Sequence, residues 1–298
     1  MFITIFCIAT ATFFLMRSIP GDPLSSMAQT LPEQTKANYY AKYGLDKPLF
    51  TQYLMYMKNL VKGDLGDSNV YPGRSVGGVI AETSPVSATI GGPALVIGLV
   101  LGITFGIIAA LFKNKWPDYI VMVIAILGIT IPVFVLAALL QYFFSVKLGW
   151  LPTSGWGQVK HAIIPIIVLS FGTIATYARY IKSSMLDTLS QDYILTARVK
   201  GLSEGAVIRR HVMRNSILPA ITLLGARIVG IFTGAFVTER MFAIPGIGFY
   251  YINSINTNDY AMTMGLTIFY GILFVISQLV VDIAYVLVDP RIRIASNN

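Results

Sequence analysis

The sequence predicts an all-α, polytopic membrane protein of about six transmembrane helices, and three observations carry that prediction. Of 298 residues, 55% are hydrophobic and only 12% are charged, with a mean hydropathy of +0.69, far from the mixture of a soluble domain. Long uncharged runs recur along the chain, most of them near the roughly 20 residues a helix needs to cross about 30 Å of hydrocarbon. Lys and Arg gather in short segments between those runs, as membrane topology requires.

The first element is residues 1–16, apolar up to Arg17 and short for a full crossing. A cleaved signal peptide is the rival reading. No basic residue precedes the apolar stretch, and Arg17-Ser-Ile-Pro-Gly-Asp is not a small-x-small cleavage site, so a retained but clipped first helix is expected. Cys7, the sole cysteine, lies inside it; a disulfide within the chain is impossible and a packed thiol is expected.

Residues 17–85 read as an extracytoplasmic segment. Pro20-Gly-Asp-Pro23, Gly44-Leu-Asp-Lys-Pro48 and Gly63-Asp-Leu-Gly66 are turn punctuation around a helical pattern from Phe50 to Val61. The segment has too few apolar residues for an independent core, so it should pack on the membrane helices or on a docked partner.

Residues 86–288 read as a five-helix core. Val86–Phe112, Tyr119–Val146 and Ala261–Val281 carry no charge; Ala162–Ala178 is a shorter uncharged run, and Asn215–Thr238 is interrupted only by Arg227. The segment 179–216 holds seven basic residues, whereas the loops on the opposite side hold Lys147 and Lys160 in one and Arg240 in the other. The positive-inside rule makes 179–216 cytoplasmic, together with the Lys113/Lys115 turn and a tail, 289–298, that carries Arg291 and Arg293. Both termini are then cytoplasmic. The seven basic residues between Arg17 and Glu82 lie in a segment too long for the rule to apply.

Within the cytoplasmic segment, Asp192 is a fair N-cap for a helix through Lys200, and Gly201 is a natural stop. Ser203 can cap a second helix with Glu204 in its first turn. In that helix Val207, Ile208, His211 and Val212 share one face, opposite Arg209, Arg210 and Arg214. Such a basic, amphipathic pair can lie on anionic lipid. It can equally be a stiff lever gripped by a soluble partner, and composition does not choose between the two.

Tyr193-Ile-Leu-Thr-Ala-Arg-Val-Lys-Gly-Leu, followed by Arg214-Asn and Ile217-Leu-Pro219, resembles the EAA loop of ATP-binding-cassette import permeases, in the version of the oligopeptide, dipeptide and nickel branch. The three turn motifs above, with Thr238-Glu239, Pro245-Gly-Ile-Gly248 and Asp289-Pro-Arg291, are similar to that family's punctuation in order and spacing. The likeness spans essentially the whole chain and is nearest to the first of the two membrane subunits of oligopeptide permeases. Departures are visible: the three EAA positions are Leu195, Thr196 and Ala197, so only the last alanine and Gly201 agree with the general pattern, and the N-terminus lacks the family's usual basic leader.

The resemblance implies the type I importer permease architecture and a division of labour in the cytoplasmic membrane of a bacterium. This subunit and a homologous second permease would form the pore, two cytoplasmic ATPase subunits would bind ATP and magnesium, and an extracellular binding protein would deliver peptides. It places Ala197, Arg198, Gly201, Leu202 and Glu204 at the ATPase-docking turn. The residues themselves agree that this chain is not the ATPase, since no G-x-x-x-x-G-K-[ST] phosphate loop occurs. Nickel or another small solute is possible on the same scaffold, and nothing points to nucleic acid.

Other residues receive plainer readings. Gly98, Gly102 and Gly106, like Gly230 and Gly234, repeat every four residues and should let helices approach closely. Pro132 and Pro165 can kink helices. Two scattered histidines, His161 and His211, without clustered cysteines or acids make no metal site, and Asp282 should sit at an interface. Arg227 is different. At mid-span an unpaired charge costs roughly 3 kcal/mol or more, so it should face either a water-filled substrate path or a buried partner. A stand-alone channel or secondary transporter is the competing class, but the acidic residues within spans or the inverted repeats with broken helices that mark it are not evident. An intramembrane enzyme lacks its acid–base pair.

Overall fold

The computed structural model describes residues 2–19, 34, 37, 40–41 and 44–288; Pro20–Pro23 and the tail 289–298 lie outside the described residues. Among the described residues eleven α-helices follow in order: α1 (Phe2–Ser18), α2 (Leu49–Val61), α3 (Val76–Leu111), α4 (Trp116–Thr130), α5 (Val133–Leu140) continued by π-helical Gln141–Lys147, α6 (Val159–Leu189), α7 (Asp192–Val199), α8 (Glu204–Val207) continued by π-helical Ile208–Val212, α9 (Met213–Met241), α10 (Ile247–Asn256) and α11 (Tyr260–Val288). The described residues contain one isolated β-bridge, Asp67 to Ser75, and no named strand.

Among these residues α3, α6, the continuous α8–α9 and α11 are long and apolar enough to cross a membrane. The α4–α5 pair makes a fifth span if its halves are counted together, and the 17-residue α1 remains a shorter apolar helix. The uncharged run Tyr119–Val146 is therefore not one straight span. It breaks at Ile131-Pro132 and turns by 109°, because proline has no N–H for the helix ladder and disfavours helical backbone in the residue before it; Ile131 is extended at ψ 121°. Pro165 lies inside α6, which continues past it.

The chain divides into two compact units, residues 1–87 with 245–275, and residues 88–244 with 276–298. In the first, α2 lies on α1, with Phe13 stacked on Tyr56 at 5.3 Å and Thr10 Oγ1 hydrogen-bonded to Tyr53 OH at 2.9 Å. Phe13 and Met16 are buried with Tyr260 and Met264, so the segment after α1 does pack on membrane helices. Asp259 is wholly buried and accepts from Ser68 Oγ and from the amides of Asn69 and Met262, both at 3.2 Å. One carboxylate thus fixes the 64–75 loop and caps α11.

In the second unit α6 is the axis, and glycines set how closely its neighbours approach. A Cβ added at Gly98, Gly102 or Gly106 of α3 would come within 2.6 Å of Thr173 Cβ, 2.7 Å of Tyr177 Cβ and 2.6 Å of Ile181 Cβ respectively. Both rows advance four residues at a time, so the seam is a small-residue ridge laid along α6. Gly128 of α4 does the same against Ala175. Gly230 does not behave this way: a Cβ there meets nothing within 4 Å.

Candidate functional site

The segment 179–216 is built on a buried footing. Ile194 and Ala197 of α7 and Val207 and Val212 beyond it are buried in one cluster with Tyr177, Ile181 and Met185 of α6. Asp192 stands in the first turn of α7; Gln191 occupies the N-cap position, without a side-chain cap bond. The helix ends where sequence places its stop. Gly201 has φ +80°, its amide donates to Arg198 O at 2.9 Å, and Leu202 N donates to Ala197 O at 3.3 Å. This is a Schellman closure, and Leu202 packs back on the cluster that holds Ala197. Across the turn Arg198 binds Glu204 bidentately, Nε to Oε1 at 2.8 Å and Nη2 to Oε2 at 3.2 Å.

Ser203 is the N-cap of the next helix, with Glu204 in its first turn, yet that helix is not a separate short element. It runs through the π-helical turn into α9, giving one helix from Glu204 to Met241. Arg209, Arg210 and Arg214 are exposed and Val207 and Val212 buried, as the amphipathic pattern requires. Arg214 Nε donates to Val288 O at 3.1 Å, and Asn215 Nδ2 to Tyr193 OH at 2.9 Å.

Two exposed apolar residues at this surface escaped the sequence reading. Leu195 and Val199, one turn apart, are 62% and 80% exposed. The available signal was an excess of apolar residues: α7 contains Tyr193, Ile194, Leu195, Ala197 and Val199, more than one buried stripe takes. A second omission is Asp118, buried and paired with Lys182, which ties the α3–α4 turn to α6 while also accepting from Asn114 N at 3.1 Å.

Arg227 lies on α9 and donates through Nη2 to Thr176 Oγ1 of α6. Among the described residues it has no carboxylate partner, so the buried ion pair is not what holds it. It lines a cavity of about 440 Å³ with Val133, Gly172, Thr176, Tyr180 and Gly230. A neighbouring cavity of about 360 Å³, lined by Ile129, Thr176, Arg179, Tyr180 and Ser183, shares Thr176 and Tyr180 with the first. The turn residues Ala197, Arg198, Gly201, Leu202 and Glu204 therefore do not form one site with Arg227. The turn meets the α8–α9 helix at Glu204, in its first turn, and Arg227 lies further along that helix beside the cavity.

Residues 102–294 match the family described as binding-protein-dependent transport system inner membrane component, and residues 1–92 match that family's N-terminal segment. The chain belongs to this family. As an inner-membrane component it is 44% identical over 291 residues to the dipeptide transport system permease protein DppB of Bacillus subtilis, covering 98% of this chain and 94% of that protein. It is 42% identical over 292 residues to the oligopeptide transport system permease proteins OppB of Haemophilus influenzae and Escherichia coli, covering 97% of this chain and 95% of each. Among solved structures, an inward-facing MetNI methionine ABC transporter superposes with a TM-score of 0.58 at 17% identity, covering 70% of this chain and 96% of that one. That likeness assigns the component the type I ABC importer permease fold.

Proposed function

We propose that this chain is one of two membrane subunits of an ATP-driven peptide importer in a bacterial cytoplasmic membrane. Its partners are a homologous second permease, two cytoplasmic ATPase subunits that bind ATP and magnesium, and an external binding protein that delivers oligopeptides. This chain needs no cofactor of its own, and both termini lie in the cytoplasm. The names of the dipeptide and oligopeptide relatives support the substrate class.

The observation that carries the reading is mechanical. A closed turn, clasped by Arg198 and Glu204, joins an exposed helix to the start of a helix that runs from Glu204 past Arg227. Ala197 and Leu202 anchor that turn, Gly201 allows it, and Leu195 and Val199 offer an apolar grip to an ATPase groove. The helix from Glu204 to Arg227 spans roughly 35 Å, so displacement of the turn by closing ATPases reaches the cavity as movement of a rod, opening it alternately to either side.

The test is reconstitution. The chain, its second permease and both ATPases in proteoliposomes with the binding protein should accumulate a labelled tripeptide only with ATP and magnesium. Accumulation without the ATPases, or none of any short peptide with the full set, overturns the reading.

A further inference from the structure

The Arg227 cavity has a chemical character that transport alone does not explain. Its walls are largely apolar, including Val133, Val168, Leu169, Leu223 and Ile231, and into it projects a guanidinium with five donors in a planar fork. The hydrogen bond to Thr176 Oγ1 uses Nη2 against a neutral acceptor. Gly172 leaves room beside the other terminal nitrogen: a Cβ there would already stand 3.9 Å from Nη1. Three ion pairs join described residues of this chain, Arg74–Glu82, Lys182–Asp118 and Arg198–Glu204, and none involves Arg227 or Arg179. The adjoining cavity presents Arg179, three residues along α6 from Thr176.

Resting on the peptide-import reading, we infer that Arg227 and Thr176 form a carboxylate subsite that takes the C-terminal carboxylate of a peptide in transit, with Arg179 as the next cation along the path. A planar fork matches a carboxylate bidentately, and the largely apolar walls lower the local dielectric and so strengthen the bond. The same surround has little to distinguish one side chain from another, so the subsite reads a group every peptide shares. The neutral Thr176 hydroxyl holds the guanidinium in place without neutralising it, which leaves the charge for a ligand and lets the ligand depart. A resident carboxylate partner would compete with the peptide for the same fork.

The experiment compares uptake of trialanine, trialanine amide and Ala-Glu-Ala amide by the complete reconstituted transporter, wild type and Arg227→Gln. Because both share one binding protein, its preferences cancel in the ratio. Arg227→Gln should lower trialanine uptake about tenfold and the amide less than twofold, the size of one lost charged hydrogen-bonding group. Arg227→Lys, which keeps the charge but not the fork, should fall between, and it carries the test if the glutamine variant does not assemble on size exclusion. Equal losses for acid and amide, or no loss in either variant, overturn the subsite. A loss confined to Ala-Glu-Ala amide overturns the terminal assignment in favour of acidic side chains. Wild-type transporter that takes up none of the three peptides instead overturns peptide import itself.

Discussion

Arg198 and Glu204 clasp each other across the turn that Gly201 makes possible, through two hydrogen bonds of 2.8 and 3.2 Å. Both side chains are largely exposed, at 40% and 64%, and a surface pair of this kind contributes only about 0–1 kcal/mol. Its value is geometric, because it fixes the angle between α7 and the long helix that begins at Glu204. Arg198→Ala and Glu204→Ala should each leave the folded protein's stability within about 1 kcal/mol of wild type while reducing co-purification of the ATPase. A double-mutant cycle on that co-purification should show non-additive losses; additive losses would mean the two residues act separately.

Gly201 gives a sharper probe of the same turn. A Cβ there meets nothing within 4 Å, so crowding adds nothing to the penalty for a side chain; what remains is the backbone at φ +80°. Gly201→Ala should cost about 1 kcal/mol and Gly201→Val more, whereas Gly201→Asn, which tolerates this conformation, should cost less. Transport and ATPase retention should follow the order Gly, Asn, Ala, Val. Equal activity across the series would show that the turn carries no load. Deleting 193–214 is a poorer test, because it removes Ile194, Val207 and Val212 from the core cluster.

The glycine seam predicts a different failure. Gly102→Val places its side chain against Tyr177 Cβ and the Ile174 backbone, at 2.7 and 3.0 Å for the Cβ alone. Overpacking there should cost about 1–3 kcal/mol, lowering the thermal midpoint in detergent. Gly230→Ala, which meets open space, should leave that midpoint unchanged.

These contrasts also mark what the sequence could convey. Uncharged runs place α3, α6, α9 and α11 because span length is a local property of composition, and Gly201 was legible because positive φ is a property of one residue. The 109° turn at Pro132 was not, since the apolar run continues unbroken through it and only the surrounding helices decide whether a proline kinks or breaks a span. The helix α3 starts at Val76, ten residues before the uncharged run that begins at Val86, because Glu82 interrupts that run and Gly77, Gly78 and Pro85 weaken the local helical signal; Val76 and Val79 are nevertheless buried, and packing overrides the local signal. Asp118 and Lys182 are 64 residues apart, and nothing in a single sequence announces such a pair.

That pair yields its own prediction. The Asp118 side chain is 4% exposed and that of Lys182 20%, so removing one partner strands a charge in a poorly solvated place. Asp118→Asn or Lys182→Met alone should destabilise by about 3–5 kcal/mol, and the double variant, which strands nothing, by clearly less. Thermal unfolding of the purified complex measures the order. A double variant worse than either single change would mean that the pair is not the reason these residues are buried.

Arg227→Cys asks whether the cavity is wet. Cys7 is the sole native cysteine and is exposed, so it is first replaced by serine. A thiol at 227 would line the 440 Å³ cavity and should react with a membrane-impermeant methanethiosulfonate. Ile181→Cys, buried in the α6 core at 1% exposure, should not react and serves as the control. If the α8–α9 rod transmits ATPase closure, trapping nucleotide should change the 227 rate while leaving the control silent. Removal of Arg227 relieves a partly buried charge hydrogen-bonded to a neutral threonine hydroxyl, so the variant should fold at least as well as wild type. Folded protein that fails to label with and without nucleotide would take Arg227 off the aqueous path, and labelling at a constant rate would keep it there but uncouple the rod from the cavity.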